Sequence, residues 1–193
     1  MEALIIIDMQ MEMQRRMDTG AECVNADAPE RIAAIAAHFR QTGRQVLHVR
    51  HSGEDPASPF HPDAAGHVPM PCAQAMEGEA VFQKRTSSAL ASGDLQAHLK
   101  RHGITDLVIT GAVAGFCVNS TARQAADQGF AATVVRDAVI GFALPEAGLS
   151  ARTIFDVTMA LLEADFTQVT DTSALLAVRA PQAVGRPDHS AIT

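Results

Sequence analysis

Short apolar runs alternate along this chain with longer segments in which apolar positions recur every three or four residues. Residues 3–8, Ala-Leu-Ile-Ile-Ile-Asp, predict a first strand, and residues 29–41 a helix with Ile32, Ile35, Ala36 and Phe39 on one face. Gly43 ends that helix, and 45–50 (with Val46, Leu47 and Val49) predict a second strand. Further strands are predicted at 80–83, 106–110, 131–136 and 166–170, with helices at 93–102, 116–128 and 150–164. Residues 52–79, rich in Pro, Gly, Asp and His, predict one long irregular excursion. Loops of that length inside compact domains are usually functional or disordered. Strands that are apolar almost throughout, separated by helices, imply a parallel sheet buried on both faces. Right-handed crossovers bring all strand C-termini to one edge, where such sheets bind ligands. We find no internal repeat and expect one domain over residues 1–179, then a polar tail, 180–193, either loose or laid across a subunit boundary.

The 193 residues and 47% hydrophobic content fit a single domain with a substantial core. The net charge of −7 argues against nucleic acid or an anionic membrane as partner. No run approaches the roughly 20 apolar residues of a membrane span. The first residues read as a core strand rather than a basic leader. Cys23, Cys72 and Cys117 are widely spaced and odd in number, which suggests neither a disulfide framework nor a metal knuckle. A reducing cytoplasm is the expected location. Tyr and Trp are absent, so aromatic walls must come from Phe or His.

The most informative stretch is Ile-Thr-Gly-Ala-Val-Ala-Gly-Phe-Cys-Val-Asn-Ser-Thr-Ala around Cys117. A strand meets a turn built on Gly111 and Gly115, and a helix follows. A cysteine near the first turn of a helix meets free N–H groups and a dipole that favour the thiolate, which is the nucleophilic form. Most lone cysteines are small buried hydrophobes, and Cys117 by itself does not escape that reading. Two other strands also end in active groups: Asp8 after Leu-Ile-Ile-Ile, and Lys84 after Ala-Val-Phe-Gln. A carboxylate after a strand is commonly a turn residue, and a strand-end lysine is commonly solvated. On one edge of a parallel sheet, however, a proton acceptor, a cation and a thiol make a workable nucleophilic set.

These residues resemble the isochorismatase-like cysteine hydrolases. The resemblance rests on Asp8 in Leu-Ile-Ile-Ile-Asp-Met-Gln, Lys84 in Lys-Arg-Thr-Ser-Ser-Ala-Leu and Cys117 in Gly-Ala-Val-Ala-Gly-Phe-Cys-Val-Asn-Ser-Thr-Ala-Arg, and it spans residue 3 to about 172. It implies a three-layer α/β fold, a six-stranded, mostly parallel sheet with helices on both faces, and an Asp–Lys–Cys triad acting on a C–N bond. It implies no cofactor, a small-molecule substrate and a homodimer or homotetramer; the apolar stretch 153–162 and the cysteine helix are the expected oligomer face. It also implies a cis peptide at Ala112–Val113, which costs about 3–4 kcal/mol without proline. A plausible reason is to aim the N–H of Val113, with that of Cys117, at a developing oxyanion. Where many relatives carry Thr-Asp, this chain has Ala114-Gly115, and Leu90 replaces the usual Phe. Both changes are expected to reshape the pocket.

Nicotinamidases of the same superfamily bind a metal through Asp-x-His. Here the corresponding stretch is Val49-Arg50-His51-Ser52, without the aspartate, so no metal is expected, and His51 reads as a pocket or hydrogen-bonding group. Phe60 and Phe116 are further pocket candidates, against the simpler roles of loop anchor and helix-start packing. Arg50 and Arg85 are candidates for a substrate carboxylate, against ordinary solvation or ion pairing. Cys23 and Cys72 lack the context of Cys117. The leading function is hydrolysis of an amide, carbamoyl or ureido bond through a thioester. Vinyl-ether hydrolysis of the isochorismate type needs no thiol, and a binding or redox-sensing domain needs neither Asp8 nor Lys84. If Asp8 is the proton acceptor, Asp8→Asn should slow alkylation of the thiol.

Overall fold

A computed structural model describes residues 1–178; the tail at 180–193 lies outside the described residues. Parallel strands form the order β4-β3-β1-β5-β6-β7, where β1 is Glu2–Ile7, β3 Gln45–His51, β4 Val81–Lys84, β5 Asp106–Ala112, β6 Ala131–Phe142 and β7 Gln168–Thr170. A two-residue strand β2 (Cys23–Val24) pairs antiparallel with the far end of β6, so the sheet has seven strands rather than six. β6 runs beyond the expected end at 136 because its pairing with β5 slips between Ile109 and Gly111, where extra β6 residues loop out.

Strand alternation divides the core in two. From β1, Ala3, Ile5 and Ile7 face α3 (Asp94–Arg101), α4 (Asn119–Asp127) and α5 (Ala151–Asp165), meeting Leu95, Leu99, Ala122, Phe155 and Leu162. Leu4 and Ile6 face α1 (Met11–Asp18), α2 (Ala28–Gln41) and α6 (Thr172–Val178), meeting Met13, Ile32, Ile35, Phe39 and Leu175. β1 is buried along nearly its whole length because it lies between two strands and two helical layers. Neither α1 nor α6 is evident in the hydrophobic pattern; α1 reads Met-Glu-Met-Gln-Arg-Arg-Met-Asp and buries only Glu12 and Met13.

The 52–79 excursion holds two short 3₁₀ turns, at Ala65–His67 and Pro71–Ala73. Glu79 anchors its end. The carboxylate accepts from Arg40 at 2.7 and 2.9 Å and from the Met76 N–H at 2.8 Å, and lies 2.9 Å from Nε2 of buried His48. Burial works against this carboxylate, but Arg40, Met76 and His48 outweigh it and hold the carboxyl at about 2. Its folded value lies below the ordinary 4.5, so its stabilisation is complete above about pH 4.5 and is lost as pH falls towards 2. In acid titrations followed by circular dichroism, Glu79→Gln should flatten that loss by on the order of 2–3 kcal/mol. An unchanged acid limb would show that this anchor contributes nothing.

Candidate active site

All parallel strands run the same way, so Asp8, His51, Lys84 and the segment after β5 meet at one rim. Asp8 leaves β1 with φ 50°, a left-handed turn that aspartate tolerates better than most residues. Its N–H donates to the Val49 carbonyl at 2.9 Å, and its own carbonyl accepts from Gln10 N at 2.9 Å. Lys84 pairs in register with His51 at the end of β4. Although only 2% exposed, its ammonium is well matched. Nζ lies 2.7 Å from Asp8 Oδ2, 3.2 Å from Cys117 Sγ, 3.1 Å from the Thr86 carbonyl and 3.3 Å from His51 Nδ1. One cation therefore bridges the carboxylate and the sulfur.

Cys117 stands near the start of a helix, as its sequence context suggests, but not in an α-helical turn. It lies in a π-helical turn, Ala114–Val118, that precedes α4. Nor is the thiolate favoured at rest. Burial and the neighbouring Asp8 carboxylate push the thiol up to about 11, against the pull of Lys84. Burial likewise raises Asp8, against Lys84 and the thiol. Burial thus pushes both groups towards their neutral forms and Lys84 opposes it, with Asp8 Oδ1 buried and making no hydrogen bond among the described residues. On electrostatics alone the effect of Asp8→Asn on the free enzyme has the opposite sign to the one expected above for loss of a proton acceptor. Asparagine removes the carboxylate that helps burial hold the thiol up, while Lys84 still pulls it down, so iodoacetamide should alkylate Cys117 faster at pH 7, several-fold or more. Slower alkylation in Asp8→Asn would overturn this electrostatic reading.

The Ala112–Val113 peptide is cis. The Val113 carbonyl accepts from Phe116 N at 3.0 Å and Val118 N at 3.3 Å, which fixes the turn beneath the sulfur. Gly115 faces α5, where an added Cβ would lie 3.0 Å from Ile154. Ala114 and Leu90 are fully buried in the core, so these two departures from the family pattern alter packing beneath the site rather than an open pocket wall.

His51 stands between Lys84 and Phe60, whose ring meets its own edge-to-face at 5.2 Å. Burial and Lys84 lower His51, against Asp8, so a neutral ring with its proton on Nε2 accepts from Lys84 at Nδ1. Phe116 is 50% exposed, so it does not pack the helix start. Arg85 pairs with Glu54 on the surface. Cys23 and Cys72 are free, and burial raises both thiols, Cys72 to about 11. The described residues contain no group of three or more His, Cys, Asp or Glu placed to hold a metal, and the Lys84 ammonium beside His51 repels any cation there.

Gln10 is a site residue to which we assigned no role from sequence. Fully buried, it donates from Nε2 to the carbonyls of His51 and His67, each at 3.0 Å, and accepts from His51 N at 2.9 Å. It ties the end of β3 to the long loop. Its place in Asp-Met-Gln was the only signal; a buried glutamine two residues after a strand-end aspartate has nowhere to look but along the same rim. No helix among the described residues is long and apolar enough to cross a membrane.

Comparison with known proteins shows the family. The Isochorismatase domain model matches residues 2–172. The isochorismatase family protein YrdC of Bacillus subtilis (strain 168) is 29% identical, covering 91% of this chain and 94% of its own. A streptothricin hydrolase of Streptomyces noursei is 29% identical over 76% of this chain, which spans 52% of that enzyme. An isochorismatase-family structure from Chromobacterium violaceum ATCC 12472 superposes with a TM-score of 0.86 at 27% identity, covering 91% of this chain and 92% of the other. One from Oleispira antarctica gives 0.82 at 32% identity, covering 91% and 96%. A rim set by parallel strand ends, a fold shared across the whole described domain and a family match from β1 to the start of α6 place this chain among the isochorismatase-family hydrolases.

Proposed function

We propose that this protein hydrolyses the C–N bond of a small amide, carbamoyl or ureido compound through a thioester on Cys117. The observation that carries the reading is the Lys84 ammonium, 2.7 Å from Asp8 and 3.2 Å from Cys117. Asp8 takes the thiol proton, and Lys84 steadies the thiolate as it forms. The sulfur attacks the carbonyl carbon, and the N–H groups of Val113 and Cys117 receive the oxyanion. The C–N bond breaks as Asp8 returns its proton to the leaving nitrogen, leaving an acyl-cysteine. Asp8 then deprotonates water, hydroxide adds to the thioester, and the C–S bond breaks to give the acid and restore the thiol.

A related streptothricin hydrolase supports hydrolytic chemistry, and the raised thiol supports a need for a base beside it. The raised Asp8 carboxyl favours a second reading, proton donation to a vinyl ether, in which sulfur is idle. Ammonia release across amides, carbamoyl compounds and ureas, set against pyruvate release from isochorismate, separates the two. An acyl adduct on Cys117 in quenched intact-mass spectra is the expected result; pyruvate release without any adduct would decide for the vinyl ether. A homodimer or homotetramer is part of the same reading, supported by the exposed apolar side chains of Phe116, Val157 and Leu161.

A further inference from the structure

Arg50 differs from the other half-buried arginines. Arg31, Arg40 and Arg44 each reach a carboxylate, and Arg16 and Arg123 lie over the rings of Phe142 and Phe166. Among the described residues Arg50 has no ion pair, hydrogen bond or aromatic face, and its Nε is buried without a partner. Holding the Nε–H of a guanidinium away from water with nothing to accept its proton is unfavourable, the more notable in a chain carrying 22 acidic residues against 15 lysines and arginines.

Two residues back on the same face of β3, His48 already holds Glu79 at 2.9 Å, and towards the long loop the groups near Arg50 are histidines. Gln10 holds the carbonyls of His51 and His67 on one amide group, so the loop at 67 lies within a side chain's width of the end of β3. His67 Nε2 is also buried and unpartnered. Burial, Arg50 and then His61 all lower His67, so these three groups share one electrostatic neighbourhood. Of the three, His61 meets an acid, the exposed Asp63, at 3.7 Å. Arg50 and His51 leave β3 on opposite faces, so Arg50 borders the catalytic rim from the loop side. The residue next to Arg50 in β3, His51, has its Nδ1 3.3 Å from Lys84 Nζ, itself 3.2 Å from Cys117 Sγ, so Arg50 leaves the strand one residue before the rim contacts.

We propose that Arg50 and His67 form an oxyanion subsite beside the catalytic trio, which takes the carboxylate of a small substrate whose scissile amide lies at Cys117. The planar guanidinium offers a paired contact to a carboxylate, and a neutral His67 donates a third hydrogen bond from Nε2. The substrate assignment rests on the cysteine-hydrolase reading; the anion site itself does not.

The test uses two reagents of nearly equal size, iodoacetate and iodoacetamide, and reads the ratio of their rates at Cys117 by peptide mass spectrometry. In Arg50→Gln the iodoacetate-to-iodoacetamide ratio should fall about tenfold relative to the wild type, as expected for one lost charge-assisted contact. Arg50→Lys, which keeps the charge but loses the fork, should fall in between. A parallel arm measures Tm in sodium phosphate or acetate against chloride at matched ionic strength. Anion stabilisation that Arg50→Gln abolishes, with an unchanged alkylation ratio, would mean a site for a free anion and overturn the substrate assignment. No change in either arm would overturn the subsite altogether. Should neither reagent label Cys117 ahead of Cys23 and Cys72, the cysteine-hydrolase reading fails, while the Tm arm still reports on Arg50.

Discussion

Cys117→Ala should abolish turnover, lowering kcat by about 10⁴-fold or more, with little change in fold. The large effect follows from the division of labour at the rim. Asp8 and Lys84 are a buried ion pair at 2.7 Å that forms without the sulfur, so they survive the substitution but have nothing to activate. A direct attack by water would have to use a carboxylate that already accepts from Lys84. The structural effect is small because the Cys117 side chain is only partly buried and packs at the margin of the α3–α4–α5 core. The check is kcat on whichever amide releases ammonia, with Tm measured beside it. Near-normal rates in Cys117→Ala would rule out the covalent route, and if pyruvate release from isochorismate persisted, the vinyl-ether reading would replace it.

Gly111→Ala should be the most destabilising single methyl in the protein, costing more than about 4–5 kcal/mol or preventing soluble expression. A Cβ built on Gly111 would sit 2.1 Å from the Ile7 carbonyl oxygen and 2.6 Å from the Ile7 nitrogen. The φ of 120° adds a conformation that L side chains rarely adopt. Neither strand can yield. Ile7 is paired with Val49 on one side and Gly111 on the other, and β1 lies at the middle of the sheet. Any retreat of Ile7 would also move Asp8, the next residue, away from Lys84. Gly148→Ala is the control: φ is 67°, but nothing lies within 4 Å of the added carbon, so the expected cost is about 1 kcal/mol. Denaturant midpoints that matched for the two variants would contradict the close approach of β5 to β1.

The sheet was legible from the chain because its strands are buried on both sides. Leu4 to Ile7, Val46, Leu47 and Val49, and Leu107 to Ile109 have no polar alternative to the core, and the helices between them force parallel connections. The elements that escaped notice are those whose sequence carries no such contrast. In α1, Arg15 and Arg16 fall inside the helix, and its register is set by the loop at 65–68 packing over it, as when Met11 N donates to the Val68 carbonyl. β2 consists of two residues that become a strand only because β6 runs past its expected end.

Residue types and their order determined the fold class, the shared rim and the presence there of a carboxylate, an ammonium and a thiol, because apolar periodicity and parallel crossovers leave few arrangements open. Only the tertiary structure decided which way burial and neighbouring charge push the thiol and the carboxyl. The thiol's proton depends on burial and on a carboxylate more than a hundred residues away in sequence, neither of which a helix-start context reports. The same holds for Gln10 and Arg50: whether a buried polar group finds a partner is a property of the space around it, which exists only once distant segments have folded against one another.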